Sequence, residues 1–186
     1  MALTKTPVCD FGKKAKDFKL KSINNKIITL NDIKGEKATL IMFICNHCPY
    51  VKAIIKDLAK DCNELKNDGI NSVAIMSNDT KNYPEDSFDN MIKFAENNKF
   101  GNINYLFDET QEIAKKYGAV CTPDFFGYNK NLELQYRGRL RELKNLIPVR
   151  EGESDLFKAM KQIADTGIGP ESQIPSAGCS IKWKNN

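Results

Sequence analysis

The sequence lacks any apolar segment long enough to span a bilayer, and residues 1–7 lack the apolar stretch of a secretory signal. No Gly-, Ser- or Pro-rich linker divides the chain. An excess of one charge is also missing, because 28 basic and 24 acidic side chains leave a net charge of +4 and the lysines are scattered. These absences argue against membrane and nucleic-acid partners. They predict a cytoplasmic protein whose single domain spans residues 1–186, with residues 166–186 as its C-terminal tail.

Cysteine is present in a modest amount, with six residues at uneven spacings. That number is too small for a disulfide scaffold in a chain of this length. In a reducing compartment, catalytic or metal-binding use of cysteine is favoured instead. A hydrophobic content of 41% is sufficient to bury the core of one sizeable domain.

The only histidine, His47, lies between two cysteines, Cys45 and Cys48. This Cys-X-X-Cys sequence follows an apolar run at residues 38–44 and precedes a helical pattern that starts at Pro49, so it is predicted at a strand-to-helix turn. Two thiols at this spacing can close a disulfide, and a helix N-terminus stabilises a thiolate. We therefore expect Cys45 to be an exposed, acidic nucleophile. Cys48, one turn inside the helix, is expected to be the shielded resolving thiol.

The remaining hydrophobic periodicity predicts an α/β fold with a mixed sheet flanked by helices. Alternating apolar residues on either side of Asn24-Asn25 indicate an N-terminal β-hairpin extension. From residue 38 onward the elements follow the order β-α-β-α-β-α-β-β-α. The predicted strands cover residues 38–44, 70–76, 105–107, 125–128 and 132–136, and the predicted helices cover residues 49–68, 88–100, 109–117 and 154–164.

Several stretches of the chain are similar to a known family, among them residues 17–20, 45–51, 122–126 and 178–184. With these stretches the chain resembles the thioredoxin-fold redoxins. That group includes the thioredoxin-like thiol-disulfide oxidoreductases and the alkyl hydroperoxide reductase/thiol-specific antioxidant proteins. Residues 45–51 and 178–184 are similar to a bacterial branch described as "probable thiol-disulfide isomerase". The resemblance covers nearly the whole chain and implies a thioredoxin-like fold with thiol redox activity.

The resemblance also implies roles for single residues. It implies a cis proline at Pro123 that faces the Cys-X-X-Cys sequence, with Thr122 offering backbone groups to a bound cysteine-containing peptide. A histidine just before the second cysteine resembles the arrangement in protein disulfide isomerase, where the imidazole stabilises the cysteine thiolate. The alternative interpretation is that His47 is only a residue of a surface turn. Two residues depart from the thioredoxin pattern. Ile44 replaces a tryptophan before the first cysteine, and Thr39 replaces a buried aspartate that accepts protons.

A thiol-dependent peroxidase of the antioxidant group is the main enzymatic alternative, because it shares this fold. Its reactive cysteine lies in a Pro-X-X-X-Thr/Ser-X-X-Cys pattern. Aligned on Cys48, that pattern requires a proline at Ile41 and a hydroxyl at Cys45, and neither is present. A peroxide pocket also uses an arginine, and the sequence assigns that role to none of the candidates Arg137, Arg139, Arg141 and Arg150.

Two further cysteines are candidates for additional redox thiols. Cys121 directly precedes the Thr-Pro sequence. The alternative to a redox role is that Cys121 is a buried residue that packs in a strand. Cys179 lies in the tail, where it could react with a Cys45 mixed disulfide or pair with Cys121. The competing interpretation is a purely structural tail that Ile181 and Trp183 anchor to the domain.

A cysteine-ligated zinc or iron-sulfur centre belongs to a different functional class. Soft ligands are available from Cys45, Cys48, Cys121, Cys179 and His47. A second close-spaced ligand pair is missing, so no metal is expected. Of the remaining cysteines, Cys62 falls on the apolar face of a helix and is expected to be buried, and Cys9 carries no signal.

The sequence therefore predicts a cofactor-free thiol-disulfide oxidoreductase. Its dithiol, Cys45 and Cys48, exchanges with protein or small-molecule thiols and disulfides, and a separate reductant serves as the redox partner. The direction of exchange stays open. A peroxidase, a metal protein and a non-catalytic interaction module are the other classes that the sequence allows.

Overall fold

Residues 3–8 and 10–185 are described by the structure, a computed structural model, so Cys9 lies outside the described residues. At the centre is a seven-stranded mixed sheet with two parallel and four antiparallel pairings. In spatial order its strands are β3 (Ile27–Thr29), β2 (Lys19–Ser22), β6 (Asn104–Phe107), β5 (Ile70–Met76), β4 (Ala38–Phe43), β8 (Asp124–Asn129) and β9 (Leu134–Tyr136). The predicted N-terminal hairpin is confirmed as β2 and β3, and it continues the central sheet at one edge.

Helices cover both faces of this sheet. The α-helices are α1 (Leu30–Ile33), α2 (Pro49–Leu65), α3 (Phe88–Asn97), α4 (Glu112–Tyr117) and α5 (Asp155–Thr166). Along β4, Leu40 and Met42 belong to a core that includes residues of α2 and α5, whereas Ile41 and Phe43 belong to a core that includes residues of α1 and α4. Burial on both faces explains why this strand reads as a continuous apolar run. The predicted α/β class is confirmed.

A second sheet brings the C-terminal segment onto the fold. Its central strand, β12 (Ala177–Ser180), is antiparallel to β1 (Leu3–Lys5) on one side and to β7 (Cys121–Thr122) on the other. The backbones approach so closely that a Cβ atom at Gly178 would overlap the carbonyl oxygen of Thr122. The tail is therefore tied to the strand that leads into Pro123.

Beyond β12, side-chain and backbone contacts hold the chain against the domain. Ile181 is buried in the core that includes α4. Trp183 is 39% exposed, and the Nζ atom of Lys115 lies 5.7 Å from the centre of its ring. The carbonyl oxygen of Lys182 accepts a hydrogen bond from the backbone N–H of Asp79 at 2.8 Å. A small antiparallel hairpin, β10 (Leu143–Lys144) and β11 (Ile147–Pro148), lies outside both sheets.

The element ends depart from the predicted ones where side chains bond the backbone. The helix predicted from residue 109 begins at Glu112, because the carboxylate of Asp108 accepts the backbone N–H groups of Ile113 and Ala114 at 3.3 and 2.9 Å. The helix ends as predicted at Gly118, which has a left-handed backbone with φ of 65°. No helix in the described part of the chain meets the length and hydropathy needed to cross a membrane.

Replacing Ser154 with Ala should destabilise the fold. The Ser154 hydroxyl accepts the backbone N–H of Phe157 at 2.9 Å as the N-cap of α5 and donates to the buried carboxylate of Asp61 at 2.6 Å. Loss of both bonds should lower the free energy of unfolding by about 1–3 kcal/mol. Urea unfolding measures the change. A Ser154→Thr control keeps the hydroxyl and should lose less stability. A urea midpoint of Ser154→Ala equal to that of the unmodified protein would contradict the role of this cap.

Candidate active site

The Cys-X-X-Cys sequence forms the connection between β4 and α2. α2 begins at Pro49, and Cys48 is its N-cap residue, with φ of −64° and ψ of 123°. Proline fits the first helical position because its missing N–H has no intrahelical partner there, and it disfavours helical geometry in the residue before it. The prediction that Cys48 lies one turn inside the helix is therefore wrong. Cys48, and not Cys45, is the cysteine at the helix N-terminus.

Both sulfur atoms are covered by protein. Cys45 is 1% exposed and Cys48 is fully buried, so the prediction of an exposed Cys45 is wrong. The Sγ atom of Cys45 lies 3.4 Å from the hydroxyl oxygen of Thr122 and 3.9 Å from Nδ1 of His47. The Sγ atom of Cys48 lies 3.1 Å from the carbonyl oxygen of Thr122 and 2.9 Å from the Sγ atom of Cys179. The tail thus covers the second cysteine of the motif.

These contacts make the two motif thiols unequal. A hydrogen bond from Cys45 lowers the pKa of Cys48, and the Cys179 thiol and the amides of Val51 and Cys179 lower it further against the effect of burial. The hydrogen bond with Cys48, then burial and the charge of Asp86, raise the pKa of Cys45. In the reduced protein the lowered pKa is therefore that of Cys48, whereas the sequence predicts it at Cys45. The contact between Cys48 and the Thr122 carbonyl is a hydrogen bond only while Cys48 is protonated.

A buried carboxylate fixes the motif loop. Asp86 has no exposed surface, and its Oδ1 atom accepts the backbone N–H groups of Asn46 and His47 at 2.8 and 3.3 Å. Its Oδ2 atom lies 2.6 Å from Nδ1 of His47 and accepts the side-chain amide of Asn78 at 2.8 Å. The side chain of Asn46 is held in turn by the hydroxyl of Tyr105 at 2.9 Å. Both residues between the two cysteines therefore have a fixed position.

His47 is held as a partly covered imidazole rather than as a free surface residue. Its side chain is 13% exposed, and its ring stacks on Tyr83 with centroids 5.6 Å apart. The hydrogen bond to Asp86 raises the pKa of His47, against the opposing effect of burial. The Nε2 atom has no hydrogen-bond partner among the described residues. The protonated ring places a positive charge beside Cys45.

Thr122 and Pro123 lie against the motif, as the resemblance implies. The peptide bond between them is cis. The sulfur of Cys121 contacts the carbonyl oxygen of Pro123 at 3.5 Å, and burial raises the pKa of Cys121. No hydrogen bond joins this sulfur to another cysteine within residues 3–8 and 10–185. Cys62 is buried in α2 as predicted, and burial raises its pKa to about 12.

In the described chain, two cavities lie between α2 and residues 139–153. The larger, of about 790 Å³, borders residues 148–153 and is lined by no cysteine of the described chain. The other, of about 380 Å³, opens beside Pro123 and combines apolar with basic side chains. Its lining includes Tyr50, Ile54, Leu140, Leu143, Ile174 and Arg139. No motif cysteine lines the smaller cavity either, but its lining reaches Pro123 and Tyr50, which lie beside the motif.

Three side chains of the site offer potential metal ligands. Atoms of Cys45, His47 and Asp86 lie within 4.8 Å of one another. Both oxygens of Asp86 already accept hydrogen bonds from protein groups, and Nδ1 of His47 is one of these donors. We therefore interpret the three residues as a hydrogen-bond network, which a metal ion would have to break.

Asp86 is the site residue that the sequence analysis missed. It supplies a buried carboxylate to a motif whose usual position for one holds Thr39, where the hydroxyl instead accepts the N–H of Gly35 at 3.0 Å. A signal was available, because Asp86 follows β5 in a polar segment and the ends of the parallel strands β4 and β5 meet at one edge of the sheet. Nothing local distinguished it from the neighbouring acidic residue Glu85.

The fold and the position of the motif define a thioredoxin-like protein. The structure is similar over 73% of this chain to the thioredoxin domain of a thiol-disulfide oxidoreductase from Bacteroides vulgatus, with a TM-score of 0.58, 19% identity and 89% of that chain covered. At this identity the likeness shows the fold alone. No curated protein matches the chain in sequence.

Residues 11–142 match the AhpC/TSA family, and the chain belongs to that family. It is 40% identical to an uncharacterized conserved protein from Geobacillus kaustophilus, with a TM-score of 0.94, 100% of this chain and 98% of that chain covered. It is 33% identical to a hypothetical protein from Sinorhizobium meliloti 1021, with a TM-score of 0.90 and coverage of 98% and 100%. The resemblance to the redoxins is confirmed, and the chain has a redox role of the general kind found in this family.

Replacing Asp86 with Asn should lower the pKa of His47, because the amide removes the charge and the acceptor that favour the imidazolium. His47 is the only histidine, so its ring signals can be followed by NMR across a pH series without assignment by mutation. Because the folded pKa is raised, protonation of His47 stabilises the fold below its unfolded pKa of about 6.5, and this contribution is lost as pH rises through the folded value. The exposed Asp89→Asn control should leave the titration unchanged, and equal curves for both variants would contradict the ion pair.

The first thiol to ionise in the reduced protein should be Cys48. Thiolate absorbance in the ultraviolet, followed from acid to alkaline pH, should show a transition below that of a free cysteine, because Cys45 donates to Cys48 at the head of α2. A Cys48→Ser variant should lose this transition, and a Cys45→Ser variant should shift it upward. Cys62→Ser serves as the control. Loss of the transition in Cys45→Ser with retention in Cys48→Ser would contradict the assignment.

Proposed function

We propose that the chain is a thiol-disulfide oxidoreductase whose Cys45 and Cys48 exchange with thiols or disulfides of a substrate. The observation that supports this most directly is the contact of both motif sulfurs with one residue, Thr122, next to cis-Pro123. Interaction between the two thiols lowers the pKa of Cys48 and raises that of Cys45, so transfer of one proton exchanges which of them is the thiolate. A dithiol arranged in this way can open and close a disulfide without a cofactor.

In the reductive direction, the proton of Cys45 passes to the Cys48 thiolate along their hydrogen bond. The Cys45 thiolate attacks one sulfur of the substrate disulfide, and the other substrate sulfur leaves as a thiolate. The Cys48 proton passes to that leaving thiolate. Cys48 then attacks the Cys45 sulfur, the mixed disulfide breaks, and the second substrate thiol leaves. The substrate gains two electrons and one proton from the dithiol, the second leaving thiolate takes its proton from water, and the enzyme retains a Cys45-Cys48 disulfide. A thiol partner returns the enzyme to the dithiol.

Cys45 is the sulfur proposed to meet the substrate. Its neighbours are the Thr122 hydroxyl and the partly exposed ring of His47, whereas Cys48 is enclosed by Cys45, Thr122 and Cys179. The imidazolium, held by Asp86, stabilises a thiolate that forms on Cys45. Movement of the His47 ring is the smallest change that would open a path to this sulfur.

The cavity beside Pro123 is proposed to hold the substrate chain. It lies between the start of α2, the β10 strand and the segment before β12, and its lining includes Tyr50 and Pro123, which lie beside the motif. Apolar walls at Ile54, Leu143 and Ile174 suit a peptide segment around a cysteine, and Arg139 and Glu142 add a polar ion pair at its side. A protein or peptide disulfide fits these features better than a small apolar ligand.

A thiol-dependent peroxidase is the alternative within the family, and the arginines argue against it. Arg137 pairs with Asp124, Arg141 with Asp57, and both Arg139 and Arg150 with Asp155. None of these guanidinium groups makes a hydrogen bond to a motif cysteine in the described chain. A peroxide pocket needs such a cation beside its thiolate, so exchange with disulfides is the better supported reaction.

Trapping should identify the reacting cysteine. With insulin as the disulfide substrate, Cys48→Ser should accumulate a mixed disulfide at Cys45 and lose turnover, because no resolving thiol remains. Cys45→Ser should give neither adduct nor turnover, and the buried Cys62→Ser should behave as the unmodified protein. Gel shifts and peptide mapping measure the adduct. An adduct at Cys48 in Cys45→Ser would reverse the roles, and turnover of hydrogen peroxide without turnover of insulin would favour the peroxidase.

A further inference from the structure

Cys179 is held at the site by bonds on both sides of it along the chain. In the register of the small sheet, Cys179 lies opposite Thr122 of β7 and opposite Leu3 of β1. Before it, the Ser176 hydroxyl donates to the Pro123 carbonyl at 2.8 Å. After it, the backbone N–H of Lys182 donates to the side chain of Asn78 at 2.9 Å. The position of this thiol is thus fixed by Pro123 and Asn78, whose segments contact the motif through Thr122 and Asp86.

The sulfur of Cys179 contacts one motif cysteine and not the other. Its Sγ atom lies 2.9 Å from that of Cys48 and has no hydrogen bond to Cys45 or Cys121 in the described chain. A disulfide needs a separation of about 2.05 Å, so the two atoms are unbonded neighbours that a small movement would join. Cys48 is therefore shared between two potential partners, one in the motif and one in the tail.

The state of Cys48 affects the pKa of Cys179. In the reduced protein, burial and then the hydrogen bond and charge of Cys48 raise the pKa of Cys179 to about 12. Once Cys48 is bonded to Cys45, it carries no charge and accepts no such hydrogen bond. Burial is then opposed by the charge of Lys182, which lowers the pKa of Cys179. Closing the motif disulfide therefore removes the two effects of Cys48 that raise the pKa of Cys179 and leaves the effect of burial.

We propose that Cys179 is a second resolving thiol that converts the Cys45-Cys48 disulfide into a Cys48-Cys179 disulfide, an extension that rests on the proposed function. The Cys179 sulfur attacks that of Cys48, the bond between Cys48 and Cys45 breaks, and the Cys179 proton ends on the Cys45 sulfur. One disulfide and one thiol are consumed, and one disulfide and one thiol are formed. No external oxidant or reductant takes part.

The exchange frees Cys45 while the protein stays oxidised. With Cys48 engaged by Cys179, Cys45 can still attack a substrate disulfide, but the resolving thiol beside it is blocked. The mixed disulfide must then be released by another thiol of the substrate, which is an isomerisation rather than a reduction. The tail cysteine thereby selects between a two-thiol and a one-thiol reaction at the same site.

Disulfide mapping tests this exchange without any substrate. The full-length chain is equilibrated with mixtures of reduced and oxidised glutathione, quenched in acid, alkylated and digested for mass spectrometry. In Cys45→Ser, oxidation should produce a peptide pair linked by a Cys48-Cys179 disulfide, and these two cysteines should no longer be alkylated. In the unmodified chain, part of Cys45 should remain alkylated after oxidation, and Cys179→Ala should abolish that part. A Cys121→Ser variant, which alters a neighbouring buried cysteine, should map as the unmodified chain does.

Two results would overturn the proposal. In the first, Cys179 is fully alkylated in every oxidised form of Cys45→Ser. In the second, the disulfide map of a Cys45→Ser/Cys179→Ala variant is the same as that of Cys45→Ser alone. Circular dichroism and the thermal midpoint of each variant separate these results from misfolding. Insulin turnover by the unmodified chain keeps the two proposals apart. An unmodified chain that turns over insulin but forms no Cys48-Cys179 bond in any oxidised form overturns this inference alone, whereas an unmodified chain without turnover or a Cys45-Cys48 bond overturns the proposed function.

Discussion

The buried carboxylate of Asp86 is the interaction on which the site depends. Four donors, from Asn46, His47 and Asn78, converge on its two oxygens. They tie the loop after β4 to residues 77–87, the connection between β5 and α3, so both segments must be in place before the motif has its shape. A buried charge is stable only when it is fully bonded, and here the bonds that satisfy Asp86 are also the bonds that orient the reactive turn.

The second constraint is the close approach of β12 to β7. Because position 178 has no side chain, the tail lies directly against Thr122, and Cys179 reaches the sulfur at the head of α2. Burial alone would suppress ionisation of all these thiols. Donors from Cys45, Cys179 and the backbone reverse that effect at Cys48 only. The protein thus concentrates thiolate character at one interior sulfur, and its surroundings decide which partner that sulfur joins.

The local patterns in the sequence predict most of the central sheet, because β4, β5 and α2 are long and strongly apolar or periodic. The proline after Cys48 could have located the helix start correctly, since proline favours the first helical position. The partnership of His47 with Asp86 could not be read from the chain, because it spans 39 residues and depends on two loops meeting at a sheet edge. The β12 strand could not be predicted for the same reason, since its small residues show no alternation of apolar and polar side chains and its pairing is long-range.

The single tryptophan gives the tail its own optical reporter. Trp183 stands four positions beyond Cys179 on the same anchored segment, half-covered and with the ammonium group of Lys115 over its ring. Since no other indole contributes, fluorescence excited at wavelengths that tyrosine does not absorb arises from this segment alone. Any loosening of the tail that separates the ring from that cation changes the emission of the whole molecule. The docking of a strand can therefore be timed in solution without attaching a dye.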